Sequence, residues 1–324
     1  AKPTITPIVM NRDVASDFLK EIQNSNVKPI EPVFLDFKKD LSQLKAKSGI
    51  PVLYKQNTSN DLFQLIYVFD MGNNNDKALG TAFDYIDYLG TSDMTPEQVK
   101  SEFYRLACNF RVSPGNERTY VVLSGLNENM PEAMKLFEKL MADAQVNKEA
   151  YTNMVADILK SRKDAKLNQM QNFRRLMNYG MYGPKSPATN ILTETELQTM
   201  DPQELTDRIH NQNSYKHRIM YYGPTSEKEL LAIINKNHQA PKKLKEIPVG
   251  NEFPRLETPV TKVLISPYEA KQIYMTQLSN RGEKFDPMIE PSRQMYNEYF
   301  GGGMNSIVFQ EMRESRGLAY SAWA

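Results

Sequence analysis

The sequence predicts an α+β fold in which strand pairs alternate with long helices. Three observations lead there. Strand-like runs come in pairs, 50–54 with 62–70 and 109–112 with 118–126. Stretches of helical periodicity, 77–89 and 96–107, separate those pairs, and two longer ones, 131–143 and 148–177, precede a further strand at 216–222. Runs of strands interrupted by blocks of helices, without strict βαβ alternation, describe α+β rather than α/β.

Taken in order, residues 1–45 read as a connector, interrupted by Pro3, Pro7, Pro29 and Pro32, with one amphipathic stretch carrying Val14, Phe18, Leu19 and Ile22. After the first strand pair, Met71-Gly72-Asn73-Asn74-Asn75-Asp76 has turn chemistry. Its Asp, Asn and Gly spacing does not fit a calcium loop. Pro96 follows Thr95, a cap-then-proline start for a helix. Ser113-Pro114-Gly115-Asn116 reads as the turn between the second strand pair. Residues 180–190 read as loop, Asp201-Pro202 opens a helix over 202–212, and another covers 226–235. These elements fill one domain, 46–240. The proline- and lysine-rich stretch 241–254, with Lys242, Lys243 and Lys245 on a solvated face, is the expected linker. Part of a second domain follows over 255–324: strands at 260–265 and 272–278, a helix at 290–299, a break at Gly301-Gly302-Gly303, and a helix over 304–315. The ending Tyr320-Ser321-Ala322-Trp323-Ala324 reads like the middle of a strand, so the chain is expected to be a fragment of a longer protein.

Composition narrows the function. Forty Lys plus Arg against 39 Asp plus Glu leave a net charge of +1, which builds no global field for nucleic acid or an anionic membrane. No apolar run approaches the ~20 residues that span a bilayer, so membrane insertion is not expected. With Cys108 the single cysteine, an intramolecular disulfide is impossible, and oxidising and reducing compartments both stay open. The expectation is a soluble protein, periplasmic or cytoplasmic if bacterial. Cys108 itself falls on the apolar side of a predicted helix and reads as a buried structural thiol. The three histidines, His210, His217 and His238, include no pair at helical i, i+4 spacing, so no metal site is expected from them.

One stretch is more specific: Tyr299-Phe300-Gly301-Gly302-Gly303-Met304-Asn305-Ser306-Ile307-Val308-Phe309-Gln310-Glu311-Met312-Arg313-Glu314-Ser315-Arg316-Gly317-Leu318-Ala319-Tyr320-Ser321. The glycines permit a sharp turn with φ > 0. Ile307, Phe309 and Met312 fall on or near one side of the helix, which is expected to be buried. Gly317 is placed as its C-cap, with Arg313 and Arg316 complementing the helix dipole. This stretch resembles the glycine-rich turn, helix and Arg-Gly-Leu-Ala-Tyr-Ser strand of insulinase-type, pitrilysin-like (M16) zinc metallopeptidases. The order of elements over 50–225, with the Leu89-Gly90-Thr91 step, is similar to a preceding domain of that family.

The resemblance implies a two-layer, LuxS/metallohydrolase-like domain of antiparallel sheet plus helices, followed by part of a second such domain. Catalytic copies carry His-x-x-Glu-His on the helix before that step, two imidazoles for zinc and a carboxylate for its water. Here the matching window is Thr81-Ala82-Phe83-Asp84-Tyr85, and no glutamate occurs in 155–165, where the third ligand falls. The chain alone is therefore expected to hold no zinc and to be inactive, with Zn²⁺ in a separate N-terminal half. The resemblance further implies that this half encloses unfolded peptide and supplies an Arg and a Tyr seven residues apart, matched here by Arg313 and Tyr320, with Arg316 competing for the first role. Both side chains can donate to a carbonyl or an oxyanion. The expected partners are that catalytic half, or a separate catalytic subunit, and the peptide. The alternatives are a catalytically inactive partner subunit or structural paralogue, and a peptide-binding module with no peptidase partner.

Overall fold

The computed structural model describes residues 15–324. The expected connector before that, with Pro3, Pro7 and Val14, lies outside the described residues. Helix α1 (Asp17–Asn24) is capped by the Ser16 hydroxyl, which accepts from the Leu19 amide, and none of its residues is buried. It belongs to a separate compact unit that ends at Ser42; the second unit runs from Gln43 to Ala324.

Six strands form one sheet: β1 (Ser42–Lys45), β2 (Pro51–Gln56), β3 (Leu62–Phe69), β4 (Cys108–Pro114), β5 (Thr119–Leu126) and β6 (His217–Gly223), in the order β1-β2-β6-β3-β5-β4. The β3–β5, β3–β6 and β4–β5 ladders are antiparallel, whereas β2–β6 is parallel. A parallel pair needs a long crossover, and most of the helices lie between these two strands in the chain. Strict alternation sets the faces. Phe63, Leu65, Tyr67 and Phe69 of β3 are each at most 1% exposed, while Leu62 and Gln64 point to the other side and are exposed.

The helices are α2 (Leu79–Tyr85), α3 (Pro96–Arg105), α4 (Met130–Asp143), α5 (Lys148–Ala165), α6 (Gln169–Tyr182), α7 (Glu194–Thr199), α8 (Gln203–Asn211), α9 (Glu227–Asn237) and α10 (Glu290–Asn297). α4 buries Met130, Ala133, Met134, Phe137, Leu140 and Met141, the spacing of an amphipathic helix laid on the core. Burying each of the larger of these side chains contributes about 1.5–3 kcal/mol. Thr95 and Gln98 close a capping box at the start of α3. This core and its helical layer are the two-layer α+β domain that the element order implies.

Several local expectations are corrected. The single helix over 148–177 is two, because the Asn168 side chain accepts from the Gln171 amide and restarts the helix as α6. α6 then runs to Tyr182, into the expected loop, and ends where Gly183 takes φ +74°. β1 lies in the expected connector. Cys108 opens β4 rather than sitting on a helix; it is buried, and desolvation pushes its thiol pKa up.

Residues 255–324 behave differently. The expected strands at 260–265 and 272–278 are irregular, and Val263, Ile265, Ile273 and Met275 are largely exposed. A strand exists only when a partner takes up its N–H and C=O groups, and no partner strand lies beside them among the described residues. This segment instead leans on α6 and the turn before it: the Leu256 amide donates to the Met181 carbonyl at 2.7 Å, the Tyr268 hydroxyl donates to the Leu167 carbonyl at 2.6 Å, and the Tyr274 ring lies 5.5 Å from that of Phe173. Beyond α10, a turn of helix at Ile307–Phe309 continues over Gln310–Ser315. Ile307 and Met312 are 39% and 40% exposed rather than buried. Gly317 caps this helix as expected, at φ +59°, its amide donating to the Arg313 carbonyl while that of Leu318 reaches Met312. The three-glycine break has no positive φ. Its need is for close approach, since a Cβ on Gly301 would lie 2.2 Å from the Ala324 amide nitrogen.

Candidate functional site: a degenerate metal centre and a buried histidine pair

α2 carries the window Thr81–Tyr85, and α5 carries 155–165. The fold brings the two together around an open cleft of about 480 Å³, lined by Asp84, Asp87, Tyr88, Met154, Asp157, Ile158, Ser161 and Arg162. The cleft thus contains residues from both of the windows singled out by the family resemblance. Its donor set does not suit zinc. Tyr85 is buried, and its hydroxyl is used twice over, donating to the Asn147 carbonyl at 2.6 Å and accepting from the Asn147 amide at 2.9 Å. Desolvation raises its pKa, which disfavours the phenolate a metal would need. The Asp84 carboxyl, at the exposed rim, is also pushed up, first by desolvation and then by the neighbouring Asp87 charge. Arg162 turns one guanidinium nitrogen to the Leu192 carbonyl at 2.7 Å. Among the described residues, no three His, Cys, Asp or Glu side chains are arranged to hold a metal ion.

Arg313 and Tyr320 come together. The Arg313 guanidinium lies over the Tyr320 ring at 4.9 Å and over that of Phe309 at 4.8 Å. Tyr320 is 85% exposed and sits in irregular backbone rather than the expected strand. Arg316 instead reaches Glu311 at 3.5 Å.

The structure also assembles a group that spacing along the chain could not reveal. His217, at the start of β6, and His238, just after α9, meet Nε2 to Nε2 at 2.8 Å. His238 Nδ1 lies 2.6 Å from Glu138 Oε1 on α4, with both side chains 1% exposed. Glu138 also accepts from the Tyr67 hydroxyl at 2.9 Å, the Asn213 side-chain amide at 2.9 Å and the Gln239 backbone amide at 3.1 Å. Tyr67 is held protonated, its pKa raised well above the usual phenol value by burial and then by Glu138.

The hydrogens can be placed by elimination. The Tyr215 carbonyl, 2.7 Å from His217 Nδ1, only accepts, so that nitrogen carries a hydrogen. Burial lowers the His217 pKa to about 4, so the ring is neutral at pH 7 and its Nε2 accepts from His238 Nε2–H. The short His238–Glu138 contact then holds one further hydrogen, and the pair is electrically neutral whichever partner bears it. The cluster ties α4, β3, β6 and the end of α9 together, and it is a structural pin rather than an accessible site. His210 stays apart, with Nε2 3.0 Å from the Ala144 carbonyl.

The combination is a two-layer domain, one sheet backed by helices, with an open cleft between the two windows that gathers no metal-holding set among the described residues. No family model matches the sequence. The chain is similar to an uncharacterised zinc protease of Rickettsia felis, 20% identical over 307 residues that cover 88% of this chain and 69% of that protein. The fold is similar to that of a peptidase M16 inactive domain from Pseudomonas fluorescens, at TM-score 0.61 and 16% identity over 87% of this chain and 70% of the other. It is also similar to the periplasmic protease PqqL of Escherichia coli, at TM-score 0.59 and 14% identity, covering 75% of this chain but 30% of PqqL. The resemblance read from the sequence thus holds in both sequence and fold, while the chain spans under a third of one of these relatives.

Proposed function

We propose that this chain is the non-zinc half of an M16-type metalloendopeptidase. In this reading it closes over an unfolded peptide held against a zinc-bearing half, whether in the same polypeptide or a separate subunit, and Zn²⁺ resides in that other half. Residues 46–240 form its inactive domain, 241–254 its linker and 255–324 the start of a second domain. The observation that supports the reading is the cleft between α2 and α5, lined by Asp84 from one window and by Asp157, Ile158, Ser161 and Arg162 from the other; in this reading it is the relic of a metal centre, with Thr81, Asp84 and Tyr85 in place of the ligands. The contact between Arg313 and Tyr320 supports their joint presentation to the scissile carbonyl and the oxyanion that develops from it. The similarity to a domain described as inactive favours, as second reading, an inactive partner subunit or paralogue.

The test is kinetic. In the assembled enzyme, Arg313→Ala or Tyr320→Phe is expected to lower kcat/KM for peptide hydrolysis about 10²–10³-fold, as for loss of one oxyanion donor. Zinc content and the melting temperature should hold steady. Wild-type kcat/KM in a folded Tyr320→Phe enzyme would remove that residue from the site, and the same result for Arg313→Ala would move the role to Arg316.

A further inference from the structure

The helices cover one face of the sheet and leave the other open. The ladder registers place the open-face side chains in rows. One row runs Leu53, Met220, Ile66, Val122 and Arg111 across β2, β6, β3, β5 and β4. The row beside it runs Lys55, Tyr222, Gln64, Ser124 and Asn109. On the opposite side Arg218, Val68 and Tyr120 align, and Val68 is buried between its two larger neighbours. The centre is therefore an aliphatic stripe, partly exposed, with Met220 38% accessible and Leu53, Ile66 and Val122 half-buried.

The charge that the strands place around the stripe is cationic. No strand residue on this face of β2–β6 is acidic. Lys55 and Arg111 have no carboxylate partner among the described residues. Arg118 and Arg218 share Asp70, at 2.9 and 2.6 Å, and their charges hold its pKa down. One carboxylate does not balance two guanidinium groups, so this corner also stays net positive. A near-neutral molecule thus concentrates cations around one apolar surface, and such a surface favours a partner of the opposite sign.

We propose that the open sheet face is a docking surface for an acidic polypeptide segment whose apolar side chains settle on the stripe of Leu53, Met220, Ile66 and Val122 while its carboxylates meet Lys55, Arg111 and Arg218. Single-stranded nucleic acid, the other polyanion that uses open sheets, needs rings in the middle of the platform for base stacking; here the middle is aliphatic, with Tyr120 and Tyr222 set to either side.

The test is binding of a fluorescent peptide of Glu-Leu-Glu-Ser repeats to this chain alone, so that its failure is separate from failure of the peptidase reading. The acidic peptide is expected to bind saturably and to weaken as salt rises. Lys55→Glu with Arg111→Glu, both exposed, should weaken it about tenfold without moving the melting temperature, and Met220→Ser should weaken it independently of salt. Equal binding of a Lys-Leu-Lys-Ser peptide, tighter binding of oligouridylate, or unchanged affinity in the folded Lys55→Glu/Arg111→Glu variant would each overturn the proposal.

Discussion

Two parts of the second compact unit carry strand-like sequence, and only one forms a sheet. Residues 62–69 and 260–265 both read as strands, with seven of eight and four of six residues apolar, yet the first run lies between two antiparallel neighbours and is mostly buried, while Val260, Val263 and Ile265 stand in solvent. The difference is one of partners rather than propensity. β3 has β5 and β6 to take its backbone groups and α4 to cover its inner face. The later segment has side-chain and backbone contacts to α6 and little else. β-propensity describes fitness for a pleated, half-buried surface, and without neighbours there is no such surface.

Substitutions can break or sharpen that comparison. The largest effect should come from the pin inside the body. Glu138→Ala leaves His238, the Tyr67 hydroxyl and the Asn213 amide without their shared acceptor, and should cost about 3–5 kcal/mol in urea unfolding.

Next comes pH. His217 is neutral in the fold down to about pH 4, whereas in the unfolded chain it takes up a proton near its ordinary 6.5. Below that value the unfolded state binds the extra proton, so stability should fall as pH drops from about 6.5 to about 4, by at most about 3 kcal/mol. Melting curves across that window, compared with those of His217→Gln, would show the loss shrinking in the variant; an identical slope in both would assign it elsewhere.

Smaller still is Asp84→Asn. Folding raises this carboxyl's pKa, so its charge is unfavourable once ionised. The substitution should raise the melting temperature slightly at pH 7 and leave it unchanged at pH 3. The smallest effect belongs to the exposed segment: Val263→Asp should change stability by less than about 0.5 kcal/mol, and amides in 260–265 should exchange with solvent far faster than those of β3. Protection of the segment equal to that of β3 would mean it is ordered by contacts of its own.

Much of the body was legible in the sequence because local signals and tertiary demands agree there. The cap at Thr95, the turn at 113–116 and the apolar run of 62–69 each point to the element that forms. The windows 81–85 and 155–165 could be compared with a metal-binding pattern residue by residue, but the cleft that joins them appears only in the packing of α2 against α5. α7 also carries a local sign, the Thr193–Glu196 capping box. The split of 148–177 turned on one asparagine, Asn168, capping inside an otherwise helical run. The histidine pin had no such sign: Glu138, His217 and His238 lie on separate elements, and only the pairing of β3 with β6 and the packing of α4 bring them within reach. Arg313 and Tyr320 were expected from the family resemblance, but the strand expected to carry Tyr320 is absent, for the same lack of a neighbour that leaves 260–265 irregular.

The central claim is that this half works by joining a zinc-bearing half. The direct measurement is peptide hydrolysis by the zinc-loaded half that carries His-x-x-Glu-His, titrated with this chain. The account predicts little hydrolysis by either half alone, and a rate that climbs with added chain and saturates at one-to-one stoichiometry. Full activity of the zinc half by itself, unchanged by the addition, or hydrolysis by this chain on its own, would contradict it.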